Sequence, residues 1–262
     1  MRVALVGWGA IGQSARRLLA DTAVELVAVG VRDARLERDG IPSSAAVIDD
    51  PTRLAEHLPD VVAEAAGRES VGPWGRAGLQ AGADVIISSV SAFADQALLD
   101  ELTDLAAARN AQLHIQPGAL AGVDALASAR LIGIDVVEHR IVKPPRAWSQ
   151  TRAEKLCELA ALSEPTVFFT GNARETANAF PKNANVAMTT ALAGIGPQRT
   201  TISLVADPTT TTNRHEISAY GAFGNLDVSI ANNPLPGNPK TSAMAALNLA
   251  RAIQNRVNTI QI

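Results

Sequence analysis

Along the first 118 residues, short β-branched apolar runs alternate with glycine-bearing turns and stretches of helical spacing. The runs at 3–6, 24–31, 61–65, 84–88 and 112–115 predict strands, and the segments 11–20, 52–57, 70–81 and 94–110 between them predict helices. Strands alternating with helices of this length require right-handed βαβ crossovers and therefore a parallel sheet. Beyond residue 118 the rhythm changes. A helix-like segment at 119–132 leads into a strand at 136–142, and strong alternation at 201–206 and 214–230, broken at Gly221 and Gly224, predicts antiparallel strands with one polar face. In the tail, Met244, Leu247, Leu249 and Ile253 keep helical spacing over 239–257, with Asn238 as N-cap and Pro239 in the first helical position.

The expected organisation is thus two domains. Residues 1–118, completed by a C-terminal helix at 239–262, form a dinucleotide-binding domain; residues 119–238 form a catalytic, substrate-binding and dimerisation domain. Composition narrows the class further. With 262 residues, 47% hydrophobic and 19% charged, the chain reads as a globule, and aromatics at 3% make its core aliphatic. A net charge of -3 offers nothing to nucleic acid or an anionic membrane, and no run of about 18 apolar residues occurs. A single cysteine, Cys157, fits a reducing compartment, so a cytoplasmic location is expected. No His, Cys, Asp or Glu cluster has metal-ligand spacing, and the expected site is metal-free.

The sharpest local signal is Gly7-Trp8-Gly9-Ala10-Ile11-Gly12, a G-x-G-x-x-G string directly after one strand and opening one helix. Gly7 permits a tight turn, Gly9 lets backbone approach a pyrophosphate, Gly12 allows close helix–strand packing, and Ala10 and Ile11 begin the helix whose N–H groups face the phosphates. This context predicts an α/β fold with a Rossmann-type doubly wound parallel sheet, plus a smaller α/β domain with a mixed, largely antiparallel sheet. At the end of the second strand, Arg32-Asp33 offers both an arginine for the 2′-phosphate of NADP and a carboxylate for the 2′-hydroxyl of NAD. Both cofactors stay open. Ala66, Ser88 and the segment Pro117-Gly118-Ala119 fall at the ends of later strands, on the ligand-binding edge of such a sheet.

Hydride transfer also needs a proton acceptor, and histidine suits neutral pH. His57 reads as a surface residue and His114, within an apolar strand, as a core residue. His139 and His215 lie on alternating strands of the second domain, and spacing alone does not separate them. The segments VALVGWGAIG, QPGALAGVDAL, FPKNANVAMTTALAGIG, RHEISAYGAFG and NNPLPGNPKTSAMAALNLARAI are together similar to the L-aspartate dehydrogenases and span nearly the whole chain in order. The resemblance implies NAD(P)-dependent oxidation of L-aspartate to iminoaspartate, which hydrolyses to oxaloacetate or feeds NAD biosynthesis. It also implies a catalytic histidine at His215, cofactor contacts at Ala119 and Asn185, and a homodimer. Ser91 departs from the family pattern, where a glycine is expected.

A dicarboxylic amino acid needs donors for two carboxylates, and Asn183, Lys240 and Thr241 are the candidates, with helix capping the bland alternative for Asn183 and solvation that for Lys240. Two rival readings remain. Glu138-His139-Arg140-Ile141-Val142-Lys143 resembles the catalytic strand of dihydrodipicolinate reductases, which makes His139 the important histidine and His215 dispensable. A dinucleotide-sensing module that does not turn its ligand over would carry the same first domain.

Overall fold

The computed structural model describes residues 1–261, without the side chains of Lys182, Pro239 and Lys240. The chain divides into two compact domains, Met1–Gln116 with the segment beginning at Ala245, and Pro117–Met244. In the first, β1 (Arg2–Val6), α1 (Ala10–Leu18), β2 (Glu25–Gly30), β3 (Ala46–Ile48), β4 (Val61–Glu64), α2 (Arg68–Gln80), β5 (Asp84–Ile87), α3 (Gln96–Arg109) and β6 (Leu113–Ile115) follow one another. The six strands pair in the order β3-β2-β1-β4-β5-β6, every ladder parallel. This is the strand order of a dinucleotide-binding sheet, whose switch point lies beyond the C-terminal ends of β1 and β4. Val61–Glu64 and all but the first residue of β1 are buried, as expected of central parallel strands covered on both faces. The expected helix at 52–57 is a 3-10 helix, Pro51–His57, opened by Asp50, whose side chain accepts from Thr52 N–H. His114 is exposed on the edge strand β6 rather than in the core.

The second domain contains α4 (Val123–Ala129), β7 (Ile134–Lys143), β8 (Thr166–Asn172), α5 (Ala173–Ala179), α6 (Ala184–Ala193), β9 (Thr201–Ala206), β10 (Asn213–Gly221), β11 (Gly224–Asn232), β12 (Pro234–Leu235) and β13 (Asn238–Ser242). Its five-stranded sheet has the order β11-β10-β7-β9-β8, with β7 and β9 parallel and the other pairs antiparallel. The sheet is mixed because β8, α5 and α6 form the crossover between β7 and β9. α5 opens on a capping box, Asn172 Oδ1 accepting from Glu175 N–H and Glu175 Oε2 from Asn172 N–H.

The C-terminal helix α7 (Ala243–Gln254) starts later than the periodicity suggests. Residues 238–242 form β13 instead, turned back onto β12 through Gly237 at φ +81. Asn238 is therefore no N-cap; Ser242 Oγ accepts from Met244 N–H and opens the helix. Leu249, Ala250 and Ile253 of α7 then pack with Val3, Leu5, Ala15 and Leu19, so the last helix completes the first domain's core.

Candidate active site

The glycine string occupies the switch point of the parallel sheet. Gly7, at φ +99, would place a Cβ 2.7 Å from the Ala65 carbonyl oxygen, and Gly12 would place one 2.2 Å from the Gly7 carbonyl oxygen. Neither position tolerates a side chain. Gly9 has extended backbone at the N-cap of α1, and a Cβ there would meet nothing within 4 Å because it faces a cavity of about 580 Å³. That cavity is lined by Gly7, Gly9, Gly30, Arg32, Arg38 and Ala66, among others. Its size and the uncapped N-terminus of α1 suit an elongated phosphate-bearing ligand. Arg32 is exposed and lines the cavity, whereas Asp33 is not among the lining residues. The Asp33 carboxylate is held by Arg35 through two hydrogen bonds of 2.9 Å, and this pairing keeps its pKa below the usual carboxylate value.

A carboxylate whose strand-end position is legible in the sequence, but whose role is not, organises the cavity rim. Glu64, at the end of β4, is fully buried. Its Oε1 accepts from Ala66 N–H, Gly67 N–H, Ser70 Oγ and Ser89 Oγ, and its Oε2 from Ser89 N–H, all within 2.9 Å. One carboxylate thus ties the turn after β4 to the turn after β5. Beside it, Ser88 is buried with an Oγ that has no hydrogen-bond partner in the protein. A buried hydroxyl left unpaired at the ligand edge of the sheet is a donor and acceptor open to a ligand. Ser91 lies in the 3-10 helix Val90–Ala94 without positive φ, so the glycine expected there is not required by the backbone.

In the second domain the ladder register gathers three basic side chains. His215 on β10 pairs with Ile141 of β7, so His139 and Lys143, two residues either side of Ile141, flank it on the same face. His139 is fully buried and His215 is 4% exposed. Their rings are hydrogen-bonded, His139 Nε2 to His215 Nδ1 at 3.2 Å. Helix α6 lies over this face. Thr190 Oγ1 donates to the Val186 carbonyl at 3.1 Å and meets His139 Nδ1 at 2.9 Å. With its single proton on Val186, Thr190 accepts from His139 Nδ1–H; His139 Nε2 then accepts from His215 Nδ1–H. The chain leaves His215 Nε2 with a free lone pair. Desolvation pushes His139 down to about 3, and desolvation followed by the nearby His139 and Lys143 pushes His215 well below the usual histidine value. Both rings are therefore neutral at neutral pH, and His215 presents a proton acceptor.

At the other end of α6, Lys143 Nζ donates to Asn183 Oδ1. Asn183 stands in the N-cap position of α6 but makes no capping hydrogen bond, because its side chain is used by the lysine. Asn185 is exposed in the first turn of α6. The Ala119 carbonyl accepts from Asn232 Nδ2 at 2.9 Å, and Asn232 Oδ1 is buried without a partner. Thr241 Oγ1 accepts from Asn238 Nδ2 within the β12–β13 hairpin, while the Lys240 side chain lies outside the described residues. Thus His215, His139, Asn183 and Lys143 form one buried cluster, the last unmarked as a site residue in the sequence reading although it ends the strand on which His139 was noticed. Among the described residues, no group of three or more His, Cys, Asp or Glu side chains converges as a metal site, and no helix is long and apolar enough to cross a membrane.

Known proteins resemble the chain in both domains. The family described as homoserine dehydrogenase, NAD binding domain, matches residues 7–116, and that described as aspartate dehydrogenase, C-terminal, matches residues 124–256. The L-aspartate dehydrogenase of Brucella anthropi is 53% identical over 99% of this chain and 98% of its own, and that of Ralstonia pickettii is 40% identical over the whole of both. The crystal structure of aspartate dehydrogenase from Thermotoga maritima superposes with a TM-score of 0.80 at 26% identity, covering 100% of this chain and 99% of the other. By its sequence and its fold, this chain belongs to the L-aspartate dehydrogenase family.

Proposed function

We propose that the protein oxidises L-aspartate to iminoaspartate with NAD or NADP, and that His215 is the base. The observation that carries the reading is a neutral, buried His215 whose Nε2 alone is free, in a chain of this family. In this reading the cavity of the first domain takes the dinucleotide: Gly7 and Gly9, which line it, admit the pyrophosphate at the turn that Gly12 keeps tight, Arg32 in the lining holds a 2′-phosphate, and Ala66, with Ser88 at the end of the neighbouring strand, serves the reactive end. Ala119 and Asn185 complete the contacts by resemblance to the family. The dinucleotide, when bound there, would supply the acceptor for the hydride that leaves Cα.

The rest of the chemistry belongs to the protein. Hydride departure from Cα requires a neutral amino group, so His215 Nε2 takes a proton from the substrate ammonium, releases it to solvent and, neutral again, takes a second from the water that attacks the imine. In the free protein this base is weak because burial disfavours its charged form. Two substrate carboxylates bring negative charge beside the ring and raise its proton affinity again. A dicarboxylic substrate therefore activates the base that a monocarboxylic one leaves weak. Lys240 and Thr241 are the further carboxylate donors in this reading, and Asn183 acts through Lys143. In this reading His139 is not the principal group, as a reductase-like role would make it. The same reading makes the protein a cytoplasmic homodimer without nucleic-acid or membrane partners, supported by the exposed Leu131 and Ile132 of the second domain and by the net charge; sedimentation velocity tests the dimer.

The test is turnover, read as reduced nicotinamide, with each of NAD and NADP against a panel of amino acids. Production with L-aspartate far above that with L-alanine is expected. A protein that binds dinucleotide and oxidises none of them would be a sensor instead.

A further inference from the structure

Among the described residues, no acidic side chain pairs with the cation of Lys143. Lys143 ends β7 on the face that carries His139 and, across the ladder, His215. Its Nζ donates to Asn183 Oδ1 and stands 5.2 Å from the centre of the Trp148 ring, which is fully buried and anchored by Nε1 donating to the Val205 carbonyl. Asp207 donates its backbone N–H to the Lys143 carbonyl, but its carboxylate accepts from Thr209 and faces Arg214. The titratable neighbours on β7 and β10, His139 and His215, are both neutral. Asn183 and Trp148, the groups in direct contact, carry no charge.

An ammonium has three donors, and an amide oxygen takes one of them. The lysine is only partly accessible, and desolvation lowers its pKa to about 8, so it stays charged at neutral pH in surroundings that disfavour the charge. A charged group held this way, two residues along the strand from the ladder partner of a proton acceptor and on the same face, is a receptor for an anion. We propose that Lys143, steadied by Asn183 and Trp148, receives a carboxylate of the dicarboxylic substrate beside His215. The proposal rests on the reading above and names the group that holds the substrate. Pairing one carboxylate with Lys143 fixes Cα near His215 Nε2 and leaves the second carboxylate to raise the basicity of that ring.

Succinate, a dicarboxylate with no amino group to oxidise, is the probe, used as an inhibitor competing with L-aspartate. In the wild-type enzyme its inhibition constant should be flat through neutral pH and rise up to tenfold per unit above about pH 8, as the ammonium loses its proton. Lys143→Met should raise the succinate inhibition constant and the KM for L-aspartate about 10- to 100-fold, remove the alkaline rise, and leave NADP affinity unchanged; Lys143→Arg should recover most of the loss. A wild-type constant that stays flat to about pH 10, or a folded Lys143→Met enzyme with unaltered succinate affinity, overturns the assignment. The wild-type series needs no variant and decides the matter if Lys143→Met does not fold. Absence of wild-type turnover with L-aspartate would instead remove the reading on which the proposal stands.

Discussion

His139 and His215, which the sequence sets against each other as rivals, act at the level of single residues as one unit. His215 carries the free Nε2, and His139, closed in by Thr190, dictates which nitrogen of His215 holds the proton. Loss of His215 as Ala is therefore expected to lower kcat about 10²- to 10⁴-fold with NADP affinity unchanged, the range for a positioned general base. A variant at His139 should not be the silent control that assigning catalysis to His215 by family resemblance suggests. His139→Leu removes the acceptor for His215 Nδ1–H, and a fall in kcat of about tenfold or more is expected, whereas His139→Gln keeps an acceptor oxygen and should recover part of it. Equal activities of the Leu and Gln variants across the pH profile would exclude the tautomer role. Arg32 presents the other residue-scale choice. Asp33 is neutralised by Arg35 while Arg32 lines the cavity, so Arg32→Ala should weaken NADP about 10- to 100-fold and NAD little. Calorimetry with both cofactors reads this directly, and equal losses would mean the guanidinium does not meet the ribose.

At the level of elements, the glycine turn separates binding from folding. Gly9 has an ordinary φ of -85 and open space beyond its Cα, so Gly9→Val should fold, keep its thermal midpoint, and lose dinucleotide affinity by about 100-fold or more. Gly12→Val, whose Cβ would collide with the Gly7 carbonyl, should lose stability itself, and thermal unfolding with and without NADP distinguishes the two. A Gly9→Val protein with native affinity would contradict the loop's role. These features were legible because the parallel strands are continuous apolar runs and the glycines stand at fixed offsets from them. Shorter or weakly patterned elements were not legible: β3 has three residues, and β8 has no buried residue to set its phase. The start of α7 was misplaced because Asn238-Pro239 satisfies a helix signal as well as a hairpin, and only pairing with β12 decides. Glu64 can be placed from the sequence at the ligand edge, as the end of a strand, but its role cannot, because only the fold brings five donors from two turns onto one carboxylate.

For the whole molecule, the buried basic cluster makes stability depend on pH in a direction that can be worked out. An unfolded histidine binds its proton near the ordinary value of 6.5, whereas folded His139 does so only at about 3 and folded His215 well below 6.5. Between these limits the unfolded chain holds more protons than the folded one, so stability falls as pH falls below about 6.5 and is fully present above it. With its folded value at about 3, His139 contributes a slope approaching 1.4 kcal/mol per pH unit in that window and should alone cost about 2 kcal/mol between pH 7 and pH 5, with His215 adding to it in the same direction. Native carboxylates held by arginines add to the acid sensitivity at lower pH, but they are the same in a variant that changes only the histidines. The double variant His139→Gln/His215→Gln should therefore show a stability profile flatter by at least that amount over the same interval, whatever its stability at pH 7. Urea unfolding followed by circular dichroism at a series of pH values measures the difference. Parallel profiles would mean that the two rings take up protons in the folded state, and that His215 is not held as the neutral acceptor from which the reaction begins.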